Sequence, residues 1–167
     1  MSTSNSTGKQ VSTSRAVSVY TDGACIGNPG PGGWAWAAPQ GMFASGFEEM
    51  TTNQRMEVRA VLEALSTHDG RVVIVSDSAY VVNCFRQRWW IGWKARGWRN
   101  AKGQPVANQD LWRPLIELVE ARGLDQVVFR WVKGHSGDPM NELVDKLATE
   151  AALEQRCRQG LLQEIAT

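Results

Sequence analysis

The spacing of apolar and polar positions changes along the chain, and each change marks an element. Ala16-Val17-Ser18-Val19-Tyr20-Thr21 alternates every second residue, as a half-buried strand does. Gly27-Asn28-Pro29-Gly30-Pro31-Gly32-Gly33 then breaks the pattern. Trp34 to Ala38 predicts a second strand, Gln40-Gly41 a turn, and Met42 to Glu49 a third strand, together an antiparallel meander. Thr51-Thr52-Asn53 can cap a helix to about Thr67, where Met56, Ala60, Val61, Ala64 and Leu65 recur at helical spacing. Asp69-Gly70 ends it. Arg71-Val72-Val73-Ile74-Val75-Ser76 is a continuous apolar run, expected of a strand buried on both faces. A short helix from Ser78 follows, then a helix from Asp110 to Arg122 stopped by Gly123. Val127 to Val132 predicts the last strand. Asp138 or the residue after it opens a final helix to about Gln155.

This order predicts an α/β domain over 16–153: a five-stranded mixed sheet, antiparallel meander plus parallel strands, with helices on both faces. Residues 1–15 are polar and without periodicity, which predicts a disordered tail. Residues 154–167 form a C-terminal extension of mixed pattern, open to reading as a loose helix or a partner-binding tail.

Composition narrows the function classes. A chain of 167 residues suits one domain, one that buries roughly 70% of its unfolded surface. The formal net charge of +1 provides no whole-molecule attraction for a polyanion, so a nucleic-acid site must come from local clustering. Cys25, Cys84 and Cys157 have no CxxC spacing, and His68 and His135 lie far apart, which argues against structural zinc. Free thiols suit a reducing cytosol, and no apolar run approaches the roughly 20 residues of a membrane helix. A cytoplasmic monomer with no membrane association is expected. Nothing in either tail specifies docking by a replication protein.

Three acidic residues occupy places where chemistry commonly sits. Asp22 and Asp77 each follow directly on a strand, and open α/β sheets bind ligands beyond the carboxyl ends of their strands. If those strands are parallel neighbours, the two carboxylates lie side by side. Glu57 lies about one turn into the helix after the meander, near its positive end. Asp145 lies on the last helix. Clustered carboxylates repel one another unless a cation joins them, and magnesium favours such hard oxygen ligands. Two ions would clamp a phosphodiester displacement, one activating water and one stabilising the departing 3′ oxygen. Taken singly, each residue has a plain structural explanation: a turn Asp, a helix cap, a solvated helix Glu, a charged helix face.

The motifs around these residues resemble type 1 ribonuclease H. Thr21-Asp22-Gly23-Ala24-Cys25, with the following glycine-rich run, resembles its opening. Thr51-Thr52-Asn53-Gln54-Arg55-Met56-Glu57 and Ser76-Asp77-Ser78-Ala79-Tyr80-Val81 resemble its second and third motifs. Trp131-Val132-Lys133-Gly134-His135-Ser136-Gly137, then Asn141-Glu142 and Asp145-Lys146-Leu147-Ala148, resembles its last. The likeness runs from about Val17 to Ala152 in the family's order. It implies the ribonuclease H-like fold and an endonuclease that cuts the RNA strand of RNA–DNA hybrids, leaving 5′-phosphate and 3′-hydroxyl ends. It implies two Mg2+ ions in the substrate complex, Mn2+ substituting, held by Asp22, Glu57, Asp77 and Asp145.

By the same resemblance His135 is the mobile histidine beside the scissile phosphate, and imidazole suits proton transfer near neutral pH. Asn28, Asn53 and Gln54 match residues that read the hybrid's minor groove, where the 2′-hydroxyl distinguishes RNA from DNA. Thr52 matches a residue on the DNA-strand phosphate, and Asn108 matches a further binding position. Ala79 stands where some relatives carry Gln, and Gln54 where many carry a second Asn; both departures concern substrate contacts rather than metal.

Residues 86–102 hold six Lys or Arg, no acid, and four of the chain's eight Trp. Such a segment can neutralise phosphates while indoles pack on sugar or base. It resembles the basic handle of some bacterial type 1 enzymes, with Trp90, Arg96, Trp98 and Arg99 as substrate-binding residues. Trp89 and Trp93, spaced i,i+4, are expected to pack inward, and Trp90 and Trp98 to be exposed. Gly30-x-Gly32-x-x-Ala35 mimics a dinucleotide fingerprint but leads into a strand, not a helix. No P-loop or Gly-x-Ser-x-Gly is present, and Cys25 reads better as a small buried thiol than as a nucleophile. Two competitors stand beside the nuclease: a non-catalytic hybrid-binding module on the same fold, and a DNA-strand transferase, whose Asp-Asp-Glu pattern is not evident.

Overall fold

A computed structural model describes residues 15–39 and 41–165. The expected N-terminal tail, apart from Arg15, and the Gln40 half of the predicted turn lie outside the described residues. The strands are β1 (Val17–Cys25), β2 (Gly30–Ala37), β3 (Met42–Thr51), β4 (Val72–Ser76), β5 (Val127–Trp131) and β6 (Arg158–Leu161). The helices are α1 (Asn53–Thr67), α2 (Ala79–Gln87), α3 (Trp89–Ala95), α4 (Gln109–Arg122) and α5 (Pro139–Glu154).

The sheet runs β5-β4-β1-β2-β3-β6, so it has six strands where the sequence predicts five. The additional strand comes from the C-terminal extension: Arg158 to Leu161 pair antiparallel with Ser45 to Met42. These four residues carry no alternating apolar pattern, and their strand state comes from backbone pairing with an edge. The meander β1-β2-β3 is antiparallel, and β1, β4 and β5 are parallel. The continuous apolar run of β4 follows from its position between two parallel neighbours, with Val72, Ile74 and Val75 fully buried.

Two glycines decide how closely helices approach the sheet. A Cβ on Gly23 would stand 2.4 Å from the Glu57 backbone nitrogen, so only glycine lets the start of α1 rest on β1 there. A Cβ on Gly33 would stand 2.2 Å from the Ala148 carbonyl oxygen, so β2 and α5 meet equally closely. Each contact lies within a turn of a predicted site residue, Glu57 in the first case and Asp145 in the second.

Helix ends follow the expected chemistry. The Thr52 hydroxyl accepts from the Arg55 amide at 3.2 Å, and Asp138 accepts from the Met140 and Asn141 amides at 3.0 Å. The main core lies against α1, α2 and α4 and includes the fully buried Trp112 and Met56. Helix α5 covers the other face over β1 and β2 with Val144, Leu147 and Ala148.

Candidate active site

Parallel pairing of β1 with β4 ends at Thr21 opposite Ser76, which leaves Asp22 and Asp77 next in register. Asp22 is not beyond its strand, as the sequence suggests. Strand β1 continues through Asp22 to Cys25 because β2 still pairs with it, Asp22 lying opposite Ala35. Strand β4 stops at Ser76 and the chain turns into α2 from Ala79, while β1 runs on to Cys25. The Gly23 contact delivers Glu57 to the same place. Asp22, Glu57 and Asp77 each offer a carboxylate oxygen, and the three oxygens lie within 4.8 Å of one another.

This cluster is electrostatically unfavourable by itself. Asp22, only 6% exposed, has its pKa pushed up to about 8, first by burial and then by the charge of Asp77, with Asp145 and Glu57 adding to it. The Gly23 amide, donating to Asp22 Oδ1 at 2.9 Å, opposes the shift. Burial also raises Glu57, while hydrogen bonds from Ser78 and Asn53 pull it back. Asp145, half-buried on α5, reaches Asp22 through its charge but is not among the three converging oxygens.

Neighbouring side chains hold the carboxylates in place. Asn53 Nδ2 donates to Glu57 Oε1 at 3.0 Å, and Ser78 Oγ donates to Glu57 Oε2 at 2.6 Å. Asn141 Nδ2 donates to Asp77 Oδ2 at 3.3 Å, and Trp131 Nε1 donates to the Asp77 carbonyl at 3.1 Å. Ser78, Asn141 and Trp131 are absent from the residues the sequence singles out for the site. Ser78 gives no distinct sequence signal because it also caps α2, accepting from the Val81 amide at 3.2 Å. Asn141 carries a usable signal: it precedes Asp145 by four residues and therefore shares its helix face.

The other predicted residues divide into groups. Asn28 Oδ1 accepts from the Asn53 amide at 3.1 Å, which ties the β1–β2 loop to the start of α1. Thr52 and Gln54 are exposed beside them, and Ala79 is exposed at the start of α2. Asn108 precedes α4 in the left-handed region, φ 61°, and its side chain makes no capping bond. His135 is exposed on the β5–α5 loop with φ 55°. Cys25 is half-buried, its thiol directed at the Gly30 and Thr51 carbonyls.

The handle corrects two expectations. Trp90 is 3% exposed and packs on Phe85 at 5.5 Å between ring centroids, so it is buried rather than presented. Trp98 is half-buried, 6.0 Å from Trp93, with the Arg113 guanidinium 4.8 Å over its ring. The reason is local geometry. An extra helix, α3, begins at Trp89 directly after α2, and the i,i+3 spacing of Trp90 and Trp93 on it turns both toward the core. Arg96 and Arg99 remain exposed, Arg96 Nε donating to the Arg99 carbonyl at 3.0 Å and Arg99 Nη1 to the Gly103 carbonyl at 2.9 Å.

Comparison with known proteins gives a consistent result. A family model described as RNase H matches residues 14–153. The ribonuclease H of Treponema pallidum subsp. pallidum is 47% identical over 157 residues, covering 82% of this chain and 90% of its own. That of Albidiferax ferrireducens is 50% identical over 149 residues, covering 84% and 99%. Among solved structures, LC9-RNase H1, a type 1 RNase H with the type 2 active-site motif, aligns with a TM-score of 0.74 at 32% identity, covering 91% of this chain and 81% of that one. A foamy viral protease-reverse transcriptase in complex with dsDNA shares the fold, with a TM-score of 0.68 at 24% identity over 83% of this chain and 95% of its own.

Proposed function

The chain belongs to the RNase H family, and on that premise we propose how its own residues perform the reaction. It is an endonuclease that hydrolyses the RNA strand of RNA–DNA hybrids, and its acidic cluster fits dependence on a divalent metal. The finer reading is that Asp22, Glu57, Asp77 and Asp145 hold Mg2+, as two ions in the substrate complex, with Mn2+ able to substitute. The observation that carries it is the convergence of three carboxylate oxygens where parallel β1 and β4 part. The donor set fits: all hard oxygens, crowded enough that burial and mutual repulsion raise Asp22. Bound there, the metal would activate the attacking water and neutralise charge on the departing 3′ oxygen, leaving 5′-phosphate and 3′-hydroxyl ends.

The protein's part is positioning. Asn53 and Ser78 orient the two Glu57 oxygens, and Asn141 and Trp131 fix Asp77 from its side chain and its backbone. Asp145 adds charge from α5. His135, exposed on its loop, handles the proton of the leaving group or the release of product. Asn28, Asn53 and Gln54 read the hybrid minor groove, with Thr52 on the DNA-strand phosphate and Asn108 on a further contact. Arg96 and Arg99, with the partly exposed face of Trp98, grip the DNA strand, and Trp90 supports that surface from beneath.

One chain supplies every site carboxylate, so the proposed chemistry needs no second copy. Cys25, Cys84 and Cys157 are free thiols, which supports a reducing cytoplasm. Among the described residues no helix is long and apolar enough to cross a membrane. The test is cleavage of an end-labelled RNA–DNA hybrid with and without Mg2+. Metal-dependent cutting confined to the RNA strand is expected. Hybrid binding without cutting in the presence of Mg2+ would show a binding module instead.

A further inference from the structure

Arg55 stands inside the second sequence motif, and its guanidinium bonds carboxylates outside the site. Its Nη1 and Nη2 donate to Asp110 Oδ1 and Oδ2 at 2.8 and 2.7 Å, a two-pronged pair. Its Nε donates to Glu48 Oε1 at 2.9 Å, and the other Glu48 oxygen accepts from Arg59 at 3.3 Å. One guanidinium thus joins β3, the first turn of α1 and the first turn of α4. Both first turns carry residues read as substrate contacts. Asn53 and Gln54 immediately precede Arg55, and Asn108 lies two residues before Asp110.

The Asp110 side chain is 62% exposed, so water and salt weaken what the pair adds to stability. What the fork does supply is fixed geometry, because two parallel bonds admit one distance and one plane. Asn108 needs such control. Its backbone is left-handed, its carbonyl accepts from the Leu111 and Trp112 amides at 2.9 Å, and its side chain is not engaged in capping. The buried Leu111 and Trp112 anchor the inner side of this turn in the core, and the Arg55 fork ties its outer side to the first turn of α1.

We propose that Arg55 is a positioning residue for hybrid recognition: by clamping Asp110 it sets the spacing between Asn108 on one helix and Asn53 and Gln54 on the other. This rests on reading those three residues as substrate contacts. A hybrid duplex presents 2′-hydroxyls and base edges at a spacing set by its own helix, so two contacts on separate helices act together only when held at the matching distance.

The test uses the full chain with Mg2+ and a labelled RNA–DNA hybrid under steady-state conditions. Arg55→Met and Asp110→Asn are each expected to raise KM about fivefold to tenfold with kcat within about twofold, and the double variant to be no worse than either single one. Arg55→Lys is expected to fail to restore KM, because an ammonium cannot form the fork. Asn108→Ala is expected to raise KM in the parent and to add little in the Arg55→Met background. Asp110 is on the surface, so Asp110→Asn keeps the test open should Arg55→Met fold poorly. Unchanged KM in folded Asp110→Asn, or an effect confined to kcat, overturns the clamp. If Asn108→Ala itself leaves KM unchanged, the clamp falls because its underlying site reading is wrong. If only the clamp variants are silent, the site reading stands and the clamp alone is rejected.

Discussion

The acidic cluster and the tryptophan-rich handle treat their side chains in opposite ways. The cluster buries carboxyl groups: Asp22 is almost fully enclosed, beside Glu57 and Asp77, with no cationic side chain bonded to any of the three among the described residues. The handle buries indole and leaves charge in water: Trp90 and Trp93 are inside, Arg96 and Arg99 outside. A charge held out of water without a partner is costly, so it is tolerated where a ligand will supply the partner. Exposed arginines carry no such cost and can act at a distance on a phosphate backbone. On the proposed reading the cluster is a place for chemistry and the handle a place for affinity.

That division can be tested at several levels. The largest effect is expected for Asp77→Asn, which should lower single-turnover cleavage by at least about a thousandfold, the scale on which single members of a catalytic set fail. Hybrid affinity measured by filter binding should stay within about twofold, and near-parent cleavage would remove Asp77 from the site. Trp90→Ala should cost about 3–5 kcal/mol in urea unfolding, as for other buried aromatic truncations. An unaltered unfolding midpoint with weakened hybrid binding would restore Trp90 to the substrate surface.

Replacing Arg96, Arg99 and Lys102 together with Ala should weaken hybrid binding and flatten its dependence on log salt by about one unit for each phosphate no longer neutralised. Maximal cleavage at saturating hybrid should be little changed. An unaltered slope would deny the handle its role in affinity.

A further effect concerns the metal-free cluster. Asp22 has a folded pKa of about 8 against an ordinary 3.8, so the folded protein retains a proton that the unfolded chain releases. Its stabilising contribution is complete below about 3.8, declines as pH rises towards 8, and is gone above that. Thermal melts of chelator-treated protein should therefore show Tm falling between about pH 5 and pH 8 and then levelling. Mg2+ at about pH 8 should raise Tm by binding the ionised cluster, and Asp22→Asn should weaken the metal-free slope. A metal-free Tm that rises across this window would refute the buried, repelling cluster.

Much of this is legible without coordinates. Period-two and helical patterns locate the meander, α1, β4, α4, β5 and α5, because those segments each bury one face or both. Asp77 is legible as the residue ending a buried strand. Glu57 and Asp145 are not persuasive until the surrounding motifs are considered together, since each lies on a helix that also needs a polar face. Strand β6 leaves no sequence trace, because an edge strand with one partner is held by backbone bonds that any sequence can make. The burial of Trp90 depends on α3 beginning immediately after α2, which a pair of adjacent tryptophans does not reveal.

The sequence by itself determined which chemistry is available: four acids, a loop histidine, a run of amides and a basic segment, in the order the family keeps. Only the tertiary structure decided which of them meet. Register between β1 and β4 brought Asp22 to Asp77, the bare backbone of Gly23 brought in Glu57, and Arg55 joined α1 to α4 by reaching Asp110, 55 residues further along the chain. Local patterns encode what each segment must bury, whereas convergence depends on distances between segments, and those are set by packing.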